Sequence, residues 1–293
     1  MLTVSNRTFG GTSGFKLAVG RCLVALSFGL VSAPLAHAGD FTLNLGANPD
    51  WPTGGVGPVN FTMTDQYGFQ LDGTGQLSVV GGTLFSGYPN ETNIFGAETS
   101  LGVAITPNSG NGGIGESTIT ATLSFSTGGS PVAVDALSFI VSDIDAIDNN
   151  SSTDRCDFVT LTGNSGNPTL SYVSATPATR SVFIGPGAGA GATGALAANQ
   201  AQCVYNLGAT GSPSSSADTN GSILATYPSG TSVATIAYDE SIENVYGVTN
   251  RNAAARGVGI WAASSMTVNQ SISLTKTTPT THYSAAGQII TYT

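Results

Sequence analysis

Five aspartates, Asp143, Asp145, Asp148, Asp154 and Asp157, fall within fifteen consecutive positions of a chain in which charged residues make up only 9%. Such a cluster suits a hard cation: calcium takes about six to eight oxygen ligands, often carboxylates from one loop. Asp143, Asp145 and Asp154 occupy the first, third and twelfth positions of a helix-loop-helix calcium loop, but the fifth is Ile147 and the sixth, where glycine is needed, is Asp148. The flanking segments also read as strands. A calcium clip between sandwich strands, with Asp143, Asp145 and Asp148 as ligands, therefore fits better than a helix-loop-helix site. The competing reading is a solvated acidic turn with local side-chain caps.

The residues before the cluster sharpen the choice. Leu137, Phe139 and Val141 share one parity, as one face of a strand does, and Asp143 and Asp145 continue it. Two carboxylates carried into a core would cost several kcal/mol each unless paired or metal-bound. Either the strand ends at about Ser142 or its acidic end holds something.

Other chemistries are poorly supplied. After residue 38 the chain has one histidine, His282, which argues against histidine-based triads and histidine metal sites. Gly189-Ala-Gly-Ala-Thr-Gly194 satisfies Gly-x-Gly-x-x-Gly, but no alternation of strands and helices surrounds it, and a dinucleotide loop needs that context. Asp239, Glu240 and Glu243 form a second acidic group, which keeps a paired-carboxylate polysaccharide hydrolase among the readings. Trp51, Tyr67, Tyr88, Tyr227, Tyr246 and Trp261 would serve either as a sugar-stacking platform or as buried core aromatics.

These residues must be positioned by a chain that reads as exported. Arg7, Lys16 and Arg21 precede the apolar run Leu23–Val31, and Ala36-His-Ala38 is a small-x-small cleavage site, so residues 1–38 are expected to be a signal peptide. The apolar run is shorter than the ~20 residues of a membrane span, and no later run is long enough either. All 17 acidic residues follow residue 38, with only Arg155, Arg180, Arg251, Arg256 and Lys276 as cations, which gives a net charge of −12 there. That balance repels phosphate backbones and argues against a nucleic-acid partner. Cys22 belongs to the leader; Cys156 and Cys203 remain and are expected to form a disulfide in an oxidising compartment. Closing such a loop is worth about 4 kcal/mol in the chain-entropy account.

Short alternating runs punctuated by turn residues fill positions 39–269. Phe41–Leu45, Val59–Met63, Gln76–Val80, Thr169–Val173, Ile223–Tyr227 and Val233–Tyr238 read as strands, and Ser117–Phe125 is the cleanest, with Ile119, Ala121, Leu123 and Phe125 inward. Residues 86–115 read as loop, and the Ala-rich residues 192–201 as one short helix. The count and spacing of strands predict an all-β, two-sheet antiparallel sandwich of jelly-roll type. A β-helix is the alternative, but no fixed repeat period supports it.

The tail, residues 270–293, reads as a separate unit. Leu274, Lys276, Pro279, Tyr283, Gly287 and Ile290-Thr-Tyr292 resemble the opening of the Ig-like repeats called "domain of unknown function 11", common in large bacterial surface proteins. The resemblance covers about 25 residues and implies a truncated Ig-like strand pair, with the polypeptide continuing beyond it. Less closely, the acidic stretch resembles strand ends of secreted bacterial sandwich domains. Together these readings imply a secreted or cell-surface, non-catalytic structural or adhesive module, with a surface glycan or another surface protein as partner. A carbohydrate-binding module is the alternative, and a polysaccharide hydrolase the third.

Overall fold

Strand formation here follows from alternation. In Thr118–Thr127, Ile119, Ala121, Leu123 and Phe125 are buried, while the threonines and serines between them stay partly open to solvent. The computed structural model describes residues 36–45, 51, 54–92, 100–108, 117–144, 146–147, 155–174, 181–188, 195–203, 219–241, 256–262 and 265–271. Apart from the terminal residues Ala36 and Ser271, they belong to one compact unit, His37–Gln270.

Numbered in chain order, the strands form two large sheets. One runs Val182–Ile184 (β13), Gln200–Cys203 (β16), Arg155–Gly163 (β11), Val233–Ser241 (β18), Thr118–Thr127 (β7), Gln70–Val80 (β3) and Val59–Thr64 (β2). Ala146–Ile147 (β10) joins it on β11 and Ser130–Pro131 (β8) on β7. The other runs Thr169–Tyr172 (β12), Ile223–Thr226 (β17), Ser138–Ser142 (β9), Arg256–Ala262 (β19), Ser100–Pro107 (β6) and Gly82–Leu84 (β4), with Asn90–Thr92 (β5) also on β6. Two short pairs complete the set: Ala36–Phe41 (β1) with Met266–Ser271 (β20), and Gly187–Ala188 (β14) with Ala195–Leu196 (β15).

The strand registers within both large sheets are antiparallel. The principal strands β3, β6, β7, β9, β11, β17, β18 and β19 alternate strictly between the sheets, so nearly every long connection crosses from one layer to the other. This is the all-β sandwich that the turn spacing predicts, and one contiguous apolar core joins the inner faces. Among the described residues there is no helix, and none is therefore long and apolar enough to cross a membrane.

Three local expectations need correcting. The span read as loop, residues 86–115, contains β6, a strand inside its sheet with Leu101, Val103 and Ile105 in the core. Leu101, Val103 and Ile105 share one parity, but Gly102 and Ala104 between them are buried as well, so no polar alternation marks an outer face. The Ala-rich segment 192–201 is not helical where described: Ala195–Leu196 and Gln200–Cys203 are strands, and pairing of β16 with β11 and β13 overrides the local helix propensity. The first strand is Ala36–Phe41 rather than Phe41–Leu45, although Leu43 and Leu45 still point into the core. Cleavage after Ala38 would leave the Gly39–Phe41 part of that strand.

Candidate functional site

The acidic turn begins where β9 stops. Asp143 has φ +66°, a left-handed conformation that Asp tolerates better than most residues, and it is half-buried. That one dihedral shifts the parity: Ile144, not Asp143, enters the core, fully buried, and its N–H donates to Gly221 O at 3.0 Å. Of the two outcomes open from the sequence, the strand ends at Ser142. Ser142 Oγ then donates to Gly259 O on β19, 3.3 Å away, which ties the strand end to its neighbour.

The chain returns through β10, which pairs with the start of β11 through Ala146–Cys156 and Ile147–Arg155. Asp145, Asp148 and Asp154 lie outside the described residues. Among the described residues, no group of three or more histidine, cysteine, aspartate or glutamate side chains is placed to hold a metal ion.

Asp157 and Asp239 are both buried, yet they serve opposite faces of one sheet. Asp157 stands opposite Glu240, and Phe158 opposite Asp239, so Asp157 shares the core side with Val159 and Tyr238 while Asp239 shares the other side with Phe158. On the core side the fully buried Tyr238 hydroxyl donates to Asp157 Oδ1 at 2.7 Å, satisfying a carboxylate that would otherwise be costly there. On the other side Thr118 Oγ1 donates to Asp239 Oδ2 at 3.3 Å. A pair separated by the sheet cannot flank one glycosidic bond. Of the second acidic group, Glu243 and the Glu240 side chain lie outside the described residues.

The disulfide is formed between Cys156 and Cys203, with Cα atoms 5.3 Å apart. It sits at a junction: along one edge of β11 the partner is β16 at Phe158–Thr160 and β10 at Arg155–Cys156. The bridge fastens the end of β16 where its ladder with β11 gives way. Both cysteines are buried.

The aromatic residues divide. Trp51 and Tyr227 are core residues: the Trp51 ring lies over Gly75, where an added Cβ would come within 2.6 Å of it. Tyr67 is exposed in the β2–β3 turn, held by Asp65, whose Oδ1 accepts from Tyr67 N (2.9 Å) and Phe69 N (2.8 Å). Tyr246 and the Trp261 side chain lie outside the described residues. The structure adds one aromatic that the sequence reading passed over: Phe85, 39% exposed, with its ring centroid 5.9 Å from that of the half-buried Tyr88. The available signal was the run Phe-Ser-Gly-Tyr-Pro, turn residues between two aromatics. Residues 189–194 of the Gly-rich motif, His282 and the tail from residue 272 onward lie outside the described residues, but the strands flanking the Gly-rich motif, β14 and β15, pair antiparallel with each other.

In comparisons with known proteins, no family model matches the chain and no curated protein matches it.

Proposed function

We propose that this chain is an exported, non-catalytic module of a bacterial cell-surface protein, structural or adhesive in role. The observation that supports it most is the buried Cys156–Cys203 bridge, which clamps β16 to β11. Bonds of this kind form and persist in oxidising compartments. The described carboxylates serve architecture in the same spirit: Asp65 caps a turn, Asp157 receives Tyr238, and Asp135 accepts from Ser229 Oγ and from Gly230 N. The net acidic charge favours solubility outside the cell and disfavours nucleic acid.

The test is expression in a Gram-negative host with fractionation, protease treatment of intact cells, and an adherence assay to abiotic and cell surfaces. Exported protein beginning at Gly39, bridged, protease-accessible on intact cells and increasing adherence is the expected result. Cytosolic protein with two alkylatable thiols would overturn the reading. Release of reducing ends from polymeric sugars would replace it with the hydrolase. A carbohydrate-binding module is the second reading, favoured by the exposed Phe85 ring beside the half-buried Tyr88; a glycan array separates it from a purely structural role.

A further inference from the structure

The aromatic pair sits on an unusual piece of edge. Strands β4 and β5 both pair with β6, through Leu84–Ile105 and Asn90–Gly102. Between those pairs the edge side has five residues, Phe85 to Pro89, and β6 has two, Val103 and Ala104. The surplus forms a loop in which Phe85, Ser86 and Gly87 are exposed, Tyr88 is half-buried and Pro89 is buried. Its root and turn are fixed: Phe85 N donates to Ala104 O, Tyr88 N to Phe85 O, and Gly54 N to Tyr88 O, each at 3.0 Å. Gly87 supplies a φ of +91°, which a side chain would resist.

Edge strands are commonly blunted by a bulge or a proline, and this loop does both. Neither device needs two aromatic rings. Phe85 and Tyr88 are inclined at 40°, so their faces are not stacked on one another, and Val56 is exposed two residues beyond Gly54. Exposed apolar side chains held on a rigid loop are the form in which binding surfaces present themselves.

The charge pattern selects the ligand. Residues 54–59 and 82–90 contain no charged side chain, in a chain of net charge −9. An anionic polymer would find no cation in these two segments and a repelling field around them. A neutral sugar ring, with an apolar C–H face and a hydroxyl rim, matches the chemistry of a loop that carries an exposed aromatic ring and the hydroxyl side chains of Ser86 and Tyr88. We infer that the Phe85–Pro89 loop is a contact site for the pyranose faces of a neutral polysaccharide. This rests on the adhesive reading and names its ligand class.

The experiment is affinity electrophoresis of the full chain in gels containing hydroxyethylcellulose, xyloglucan, amylopectin or, as the anionic control, alginate. At least one neutral polymer should retard the wild-type chain, and alginate should not. Phe85→Ala with Tyr88→Ala should weaken retardation at least tenfold, Tyr88→Phe should retain it, and Val80→Ser, at another exposed apolar position, should leave it unchanged. If the double variant fails to melt cooperatively, the wild-type chain is read by nuclear magnetic resonance. A titrated neutral oligosaccharide of the retarding type must then move the Phe85 and Tyr88 ring signals. No retardation by any neutral polymer, equal retardation of the folded double variant, or equal retardation by alginate overturns the inference. Retention only by immobilised peptide does the same. Adherence that persists while neutral polymers neither bind nor compete would sink this ligand class alone and leave the adhesive reading standing.

Discussion

The hydroxyl of Tyr227 donates to the backbone carbonyl of Thr235, 3.1 Å away, and so links the two layers of the sandwich. Tyr227 follows β17 in one sheet and packs edge-on against Phe139 of β9 at 5.7 Å; Thr235 lies in β18 of the other. Burial pushes the Tyr227 phenol well above the usual tyrosine range. Below about pH 10 both folded and unfolded chains keep this proton, so the tyrosine adds no pH dependence. Above it the unfolded chain releases the proton and the folded chain does not, so stability falls by about 1.4 kcal/mol per pH unit until the raised folded value is reached. Tyr227→Phe should remove that part of the alkaline loss while costing about 1 kcal/mol at neutral pH for the lost inter-layer hydrogen bond. Urea melts at pH 7 and pH 11 check both; an unchanged alkaline slope in the variant would refute the assignment.

Breaking the Cys156–Cys203 bridge should lower stability by about 2–4 kcal/mol. Cys156→Ser with Cys203→Ser is the cleaner comparison, because it avoids mixed redox states. Thermal melts of wild type with and without reductant should bracket the double variant. Equal melting temperatures in all three would mean that the junction of β16, β11 and β10 holds without its staple.

Two non-glycine residues in left-handed conformation bracket β9: Ala136 at φ +58° and Asp143 at φ +66°. Alanine has no side-chain means of offsetting this conformation, so Ala136→Gly should be neutral to stabilising by up to about 1 kcal/mol. Asp143→Gly should be tolerated, whereas Asp143→Val should cost about 1–3 kcal/mol, because a β-branched residue resists that region. Chemical denaturation of the three variants reads the order directly, and Asp143→Val as stable as Asp143→Gly would contradict the parity-switch account.

Calcium is tested by melting as well. If Asp143, Asp145 and Asp148 hold the ion, a hundredfold excess over Kd stabilises the fold by about 2.7 kcal/mol. For a domain of this size that is a rise of about 5–10 °C, which Asp143→Asn with Asp145→Asn should abolish. A rise that magnesium reproduces equally is charge screening, and it would leave a solvated turn as the better description.

Gly75 gives a packing test of the core. With the Trp51 ring 2.6 Å from where a Cβ would stand, Gly75→Ala should displace the indole and destabilise by about 1–3 kcal/mol, with a red shift in tryptophan emission. An unshifted spectrum would mean that the ring has room to move.

Local pattern determined much of this molecule. The strict alternation of Ile119, Ala121, Leu123 and Phe125 announces β7 because only an extended strand can bury every second side chain against one layer. Two cysteines beyond residue 38 allow a single intramolecular bridge, so that pairing was legible from arithmetic. Tertiary structure decided what depends on neighbours distant in sequence. β6 is buried on both faces and lacks polar alternation, and Gln200–Cys203, which closes an Ala-rich run, takes the extended form that pairing with β11 requires. Asp143 follows the inward parity of Val141, yet a single backbone rotation sends Ile144 inward instead. Phe85 and Tyr88 were two aromatics in a turn-rich run. They came together, Phe85 exposed and Tyr88 half-buried, only because β6 holds both flanks of their five-residue loop.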